Sequence, residues 1–156
     1  MPRRVPPFIE ALTASPPCPM AWRGRPWSGL PLFPFFSGRV SPPPGFTGSN
    51  GCAELCLHPN GQFLYASNRG HDSIAIYRVD AAQGTLSLIE HQTTAIETPR
   101  NFCLDPTGRY CLVANQSADT VVVFRVDVRS GQLVPTEHAV SVGRPVCVRF
   151  LDTPDR

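Results

Sequence analysis

Glu54, Arg69, His71, Arg100, Asn101 and Gln116 have types and spacings that could support chemistry on an anionic small molecule. A carboxylate such as Glu54 can orient water and take its proton. The guanidinium groups of Arg69 and Arg100 suit bidentate recognition of phosphate or carboxylate. His71 titrates near neutral pH and can move a proton. Asn101 and Gln116 add neutral hydrogen-bonding groups. These residues stand out because they break a repetition. The segment HPNGQFLYASNRGHDSIAIYRVDAAQGTLSLIEH (58–91) aligns without a gap on DPTGRYCLVANQSADTVVVFRVDVRSGQLVPTEH (105–138), a shift of 47 residues. Eleven positions are identical, among them Pro59/Pro106, Gly61/Gly108, Asn68/Asn115, Asp72/Asp119, Asp80/Asp127 and Gly84/Gly131. Residues shared by both copies build the support. Polar residues present in one copy only are candidates for function: Arg69 and His71 become Gln116 and Ala118, Asn101 aligns with Glu54, and Arg100 with Ala53.

The elements that must position these side chains follow from the same repeat. A period near 45 residues built of short strands is the signature of propeller blades. Each copy parses into four strands: Ala53–Leu57, Phe63–Ser67, Ser73–Val79 and Thr85–Gln92, then Asn101–Leu104, Tyr110–Ala114, Thr120–Val126 and Gln132–Val142. Runs such as SIAIYRV and VVVFRV are β-branched, aromatic and too short for helices. HPNG, DPTG, DAAQG and DVRSG supply turn residues between them. Val146–Phe150 predicts a further inner strand. The fold class is therefore all-β: a β-propeller with two four-stranded antiparallel blades, one further inner strand, and an irregular proline-rich N-terminus.

Antiparallel strands alternate in direction, so the links between strands sort onto two ends. The turns NRGHD and NQSAD share one end, the top, with the connections GFTGSNGCAE, AIETPRN and SVGRPVC. The remaining turns lie at the bottom. His58 belongs to a bottom turn and reads as a turn residue replaced by Asp105. Asn68/Asn115 and Asp72/Asp119 read as structural, since Asn and Asp bond to their own turn backbone. His91 and His138 align with each other on the outermost strand and read as scaffold. The unmatched polar residues gather at the top. Glu54 has two readings there: a functional carboxylate, or an ion pair with Arg100 or Arg69 that only holds the blades in register.

Composition divides the chain near residue 45. Twelve of the eighteen prolines lie between Met1 and Pro44, and proline removes backbone donors, so no strand or helix can run far there. The expected organisation is a proline-rich irregular segment (1–44), a partial propeller (45–151) and a short tail (152–156). With a net charge of +2 and dispersed arginines, nothing suggests a nucleic-acid surface. No run approaches the roughly 20 apolar residues of a membrane span. The six cysteines include no C-x-x-C, and Cys56 and Cys103 share one register on neighbouring blades, so buried free thiols in a reducing cytoplasm are expected. Two blades and a strand do not close a propeller, which needs four to eight blades. Missing blades or another copy of the chain are expected partners in folding.

At AEL-x-LHPNGQFLYASNRGHDSIAIYRVD and TPRNFCLDPTGRYCLVANQSADTVVVFRV the chain resembles the seven-bladed propeller lactonases, a family that includes the bacterial propeller-type 6-phosphogluconolactonase and the fungal carboxy-muconate cyclase. DPTGRY recurs in many propellers. The combination of Ala-Glu opening an inner strand, SNRG and TPRNF is much more specific. The resemblance covers about Gly45 to Leu151 and implies hydrolysis of a sugar-acid lactone at a top-face cleft, with no metal and no cofactor. Carried over by position, Glu54, Arg69, Arg100, Asn101 and Gln116 match polar positions of that cleft. In the mechanism this suggests, Glu54 or His71 activates water, Arg100 with Asn101 stabilises the oxyanion, and Arg69 holds the phosphate or sugar carboxylate. No Gly-x-Ser-x-Gly elbow is present, so a serine-esterase route has no support. The competing readings are a non-catalytic propeller that binds a ligand or protein on the same face, and an inert truncated product.

Overall fold

A computed structural model describes residues 42–151. The proline-rich segment, except its last three residues, and the tail 152–156 lie outside the described residues. Eight strands follow in order: β1 (Gly51–Leu57), β2 (Phe63–Arg69), β3 (Ser73–Asp80), β4 (Thr85–Gln92), β5 (Pro99–Leu104), β6 (Tyr110–Asn115), β7 (Thr120–Val126) and β8 (Leu133–Ser141). They form two four-stranded antiparallel sheets, β1-β2-β3-β4 and β5-β6-β7-β8. These are the two expected blades. Each bottom turn closes through side chains placed by the repeat. Asp80 Oδ1 accepts from the backbone N–H of Ala82 and Gln83, and Asp127 Oδ1 accepts from that of Arg129.

The core lies between the sheets. Phe63, Tyr65, Ile74 and Ile76 of the first sheet are fully buried in one cluster with Phe102, Cys111, Val113, Phe124 and Leu133 of the second. Side chains of this size contribute roughly 1.5–3 kcal/mol each when removed from water. Polar contacts add direction at the bottom of the interface. The Tyr65 hydroxyl donates to the carbonyl of Gly131 (2.7 Å). His58 is 3% exposed, and its Nε2 lies 2.8 Å from the carbonyl oxygen of Gly108 while its Nδ1 accepts from the backbone N–H of Asn60. His58 thus joins the blades as well as shaping its turn. The 47-residue shift carries Phe63, Tyr65, Ile74 and Ile76 onto Tyr110, Leu112, Val121 and Val123. This second face is less covered: Tyr110 is 47% exposed and the others are partly exposed.

Two expectations need correction. Val146–Phe150 does not form a ladder strand. A strand exists through hydrogen bonds to a neighbour, and among the described residues no strand lies beside this segment to supply them. It is instead held by one contact to each blade, Val148 to Asn101 and Arg149 to Glu54, described below. Cys56, Cys103, Cys111 and Cys147 are free, as expected, but the cysteines are not uniformly buried. Cys111 is buried, Cys56 and Cys103 are half-buried, and Cys52 and Cys147 are exposed. Cys52 sits at the rim end of β1, and Cys147 lies on the unpaired segment.

Candidate active-site rim

Each inner strand carries an irregularity near its top end. On β1 the pairing jumps from Cys52↔Asn68 to Leu55↔Ala66, leaving Ala53 and Glu54 against Ser67. On β5 it jumps from Pro99↔Asn115 to Asn101↔Ala114, leaving Arg100 as the extra residue. A bulge bends its strand and re-aims the local side chains. The repeat therefore installs the same device twice, and it places Glu54 and Asn101 at equivalent points on adjacent blades.

These two side chains meet. Asn101 is 5% exposed, and its Nδ2 donates to Glu54 Oε2. Its Oδ1 accepts from the backbone N–H of Val148 (2.9 Å). Both ends of the amide are thus committed, one to each neighbouring segment. Glu54 Oε2 also faces Arg149 Nη2 at 3.4 Å, with the Glu54 side chain 24% exposed. Partial burial pulls the Arg149 guanidinium down, but the Glu54 carboxylate, Cys147 and Cys103 together outweigh this and raise it above the ordinary arginine value. Glu54 Oε1 has no hydrogen-bond partner among the described residues. The Glu54 backbone N–H is held by Ser67 Oγ (3.0 Å), which fixes the bulge from below.

Arg69 ends β2 opposite Gly51, with Nη2 3.3 Å from where a Cβ on that glycine would stand. Its Nε is buried without a hydrogen-bond partner among the described residues. Gln116, its counterpart on the second blade, is anchored by its backbone N–H to the carbonyl of Thr98 (3.1 Å), and its side chain is partly exposed. Arg100 is exposed at the same end as Glu54, beside Asn101. His71 is not brought to this group. Its Nδ1 lies 2.8 Å from Ser73 Oγ, and its ring makes edge contacts with Phe46 (5.2 Å) and with His91 on β4 (5.5 Å). It therefore sits on the β4 side of the sheet, whereas Glu54 is on β1. On the second blade the counterpart of His71 is Ala118, and a shallow cleft of about 240 Å³ opens there between Ile96, Glu97, Asn115, Thr120 and Val122.

The sequence reading placed Arg69 or Arg100 beside Glu54, and the structure places Arg149 there. Its contact spans 95 positions along the chain. One signal was available: Val146–Phe150 was recognised as lying where a third inner strand would run, and such a strand reaches the same rim. Asn68 and Asn115, read as structural, tie the top connections to the turns. Asn68 Oδ1 accepts from Asn50 Nδ2 (3.0 Å), and Asn115 Nδ2 donates to the carbonyl of Ala95 (2.8 Å).

Residues 38–150 match the family described as Lactonase, 7-bladed beta-propeller. The chain belongs to this seven-bladed propeller lactonase family. Among curated proteins, it is similar to the 6-phosphogluconolactonase of Bacillus subtilis, 37% identical over 109 residues that cover 70% of this chain and 31% of that relative. A 6-phosphogluconolactonase of Formosa agariphila is 50% identical over 52 residues, 32% of this chain and 15% of the relative. Among solved structures, the periplasmic gluconolactonase of Pseudomonas aeruginosa matches with a TM-score of 0.69 and 40% identity, over 73% of this chain and 32% of that one. A protein of Bacteroides fragilis described as a putative 6-phosphogluconolactonase matches with a TM-score of 0.62 and 39% identity, over 65% and 29%. The chain thus spans about a third or less of the length of these propeller lactonases. Among the described residues, no helix is long and apolar enough to cross a membrane.

Proposed function

We propose that this protein contributes the Glu54–Arg100 rim of a hydrolase that opens sugar-acid lactones, of the 6-phosphogluconolactonase type. Family membership supports the reaction class. The observation that carries the reading is the carboxylate of Glu54, anchored through Oε2 by Asn101 and Arg149 while Oε1 has no hydrogen-bond partner among the described residues. A carboxylate so held is a base with one available oxygen. Water positioned by Oε1 attacks the lactone carbonyl carbon, and its proton passes to Glu54. The C–O bond of the ring breaks, and the departing alkoxide takes the proton back, giving the open-chain hydroxy acid. Arg100, exposed beside the pair, supplies charge for the oxyanion, and such a donor is typically worth ~10²–10³ in rate. The guanidinium of Arg69, at the top end of β2, suits the substrate's phosphate or carboxylate. Gln116 lies at the equivalent point of the next blade and suits a sugar hydroxyl. His71 remains a second proton carrier, farther out on the first sheet. The free thiols support a reducing, cytoplasmic setting.

The test is lactone hydrolysis by the chain, and by a chimera in which residues 45–151 replace the matching third of the Bacillus subtilis relative. In the active form, Arg100→Ala and Glu54→Gln should each lower the rate by ~10²-fold or more. An unchanged rate for either variant rejects its assigned role. A chimera that folds and binds a sugar acid without hydrolysing its lactone favours the non-catalytic binding module instead.

A further inference from the structure

We infer that Arg149 is a positioning residue, which together with Asn101 locks one oxygen of Glu54 and turns the other toward the open rim. The inference rests on the reading of Glu54 as the rim's base. Both hydrogen bonds to the carboxylate fall on the same atom: Asn101 Nδ2 and Arg149 Nη2 address Oε2, and Oε1 takes neither. A carboxylate held on one side by a cation and an amide loses its freedom to rotate. Arg149 reaches this place because its neighbour is tied down. The backbone N–H of Val148 donates to Asn101 Oδ1, so a single amide grips the carboxylate with its nitrogen and the incoming segment with its oxygen. Docking of residues 146–150 is therefore the step that completes the base.

A purely structural role predicts something different. The Arg149 side chain is 50% exposed, and an ion pair of that kind contributes little to folding. Replacing it should leave the fold intact while changing the carboxylate, and this separation makes the idea testable without any substrate. The experiment uses the full chain, ¹⁵N-labelled, and follows the Asn101 side-chain Nδ2 proton signals at one neutral pH. Because Nδ2 donates to Glu54 Oε2, their chemical shift and solvent-exchange rate report whether that oxygen is held in place. In Arg149→Gln the bonded proton should move toward the free-amide position and exchange faster, because the carboxylate regains its freedom to rotate. In Arg149→Lys it should return most of the way to the original position. The Val148 amide should keep its protection from hydrogen exchange in both variants, since Asn101 still accepts it. A signal identical in wild type and Arg149→Gln overturns the inference, as does a Lys variant indistinguishable from Gln. If the signal moves but neither chain nor chimera opens lactones, the lactonase reading fails while the positioning role stands.

Discussion

Replacing Gly131 by alanine should loosen the joint between the two blades at a predictable cost. Gly131 closes the last bottom turn with φ +82°, in the left-handed region. An L-residue there costs about 1–2 kcal/mol in backbone strain. The added methyl would stand 2.4 Å from Phe63 Cδ1 and 2.7 Å from its Cγ. That ring cannot step aside: Phe63 is 0% exposed, with His58 edge-on at 6.0 Å and the Arg78 guanidinium 5.2 Å from its centroid. Overpacking of this kind costs about 1–3 kcal/mol. Together the two effects amount to ~2–5 kcal/mol, a large share of a typical domain's stability of about 5–15 kcal/mol. Urea unfolding followed by far-ultraviolet circular dichroism measures it. Two further variants separate the contributions. Gly131→Asn tolerates the backbone angle better but keeps the clash, so it should recover only part of the loss. Phe63→Ala in the Gly131→Ala background removes the clashing ring and leaves the strain, giving a coupling energy of ~1–3 kcal/mol. A Gly131→Ala change within about 0.5 kcal/mol of wild type, or a strictly additive cycle, would refute the description of this interface.

Two other outcomes follow from the titratable groups. Burial pushes the Cys111 thiol well above its ordinary value, and Cys56 and Cys103 push the same way. At pH 8, a thiol reagent followed by peptide mass spectrometry should therefore label exposed Cys52 and Cys147 in the native protein and leave Cys111 untouched until unfolding; labelling of Cys111 as fast as Cys147 would contradict its burial. Asp105 is pushed up by partial burial, but hydrogen bonds from the Thr107 hydroxyl and from the backbone N–H groups of Tyr110, Thr107 and Arg109 win and hold it below the ordinary carboxylate value. A folded value below the unfolded one stabilises the protein above the unfolded value of 3.8, and that stabilisation is lost as pH falls through the lower, folded value. Asp105→Asn should flatten the stability–pH curve below about pH 4, and an unchanged acid limb would show that these hydrogen bonds contribute nothing.

The blade was legible because its period, turn chemistry and β-branched runs all point to one architecture. Strand limits agree to within a residue or two, and the exceptions are instructive. The inner strands begin at Gly51 and Pro99, two residues earlier than their apolar patterns suggest, because pairing resumes beyond each bulge. A bulge breaks the alternation by which a strand is recognised. Glu54 and Asn101 were legible as rim residues because the copies differ there. Their direct contact was not, since a 47-residue shift tells which positions correspond and not which of them touch. Arg149 was missed for a related reason: it lies past the second copy, where comparison of the two copies offers no register. His58 looked like a simple turn residue because its counterpart is Asp105. Its burial comes from the neighbouring sheet, which a local pattern cannot contain.

The handshake between Glu54 and Asn101 also constrains how a tandem array of this kind can diverge. Corresponding positions of neighbouring modules lie against each other, so perfect duplication would set a residue against its own twin. Glutamate facing glutamate would repel, and asparagine facing asparagine would forfeit the charge. Departure from symmetry at this point is thus a requirement of ancestry by copying, and a substitution at one site will be judged by the occupant of the other.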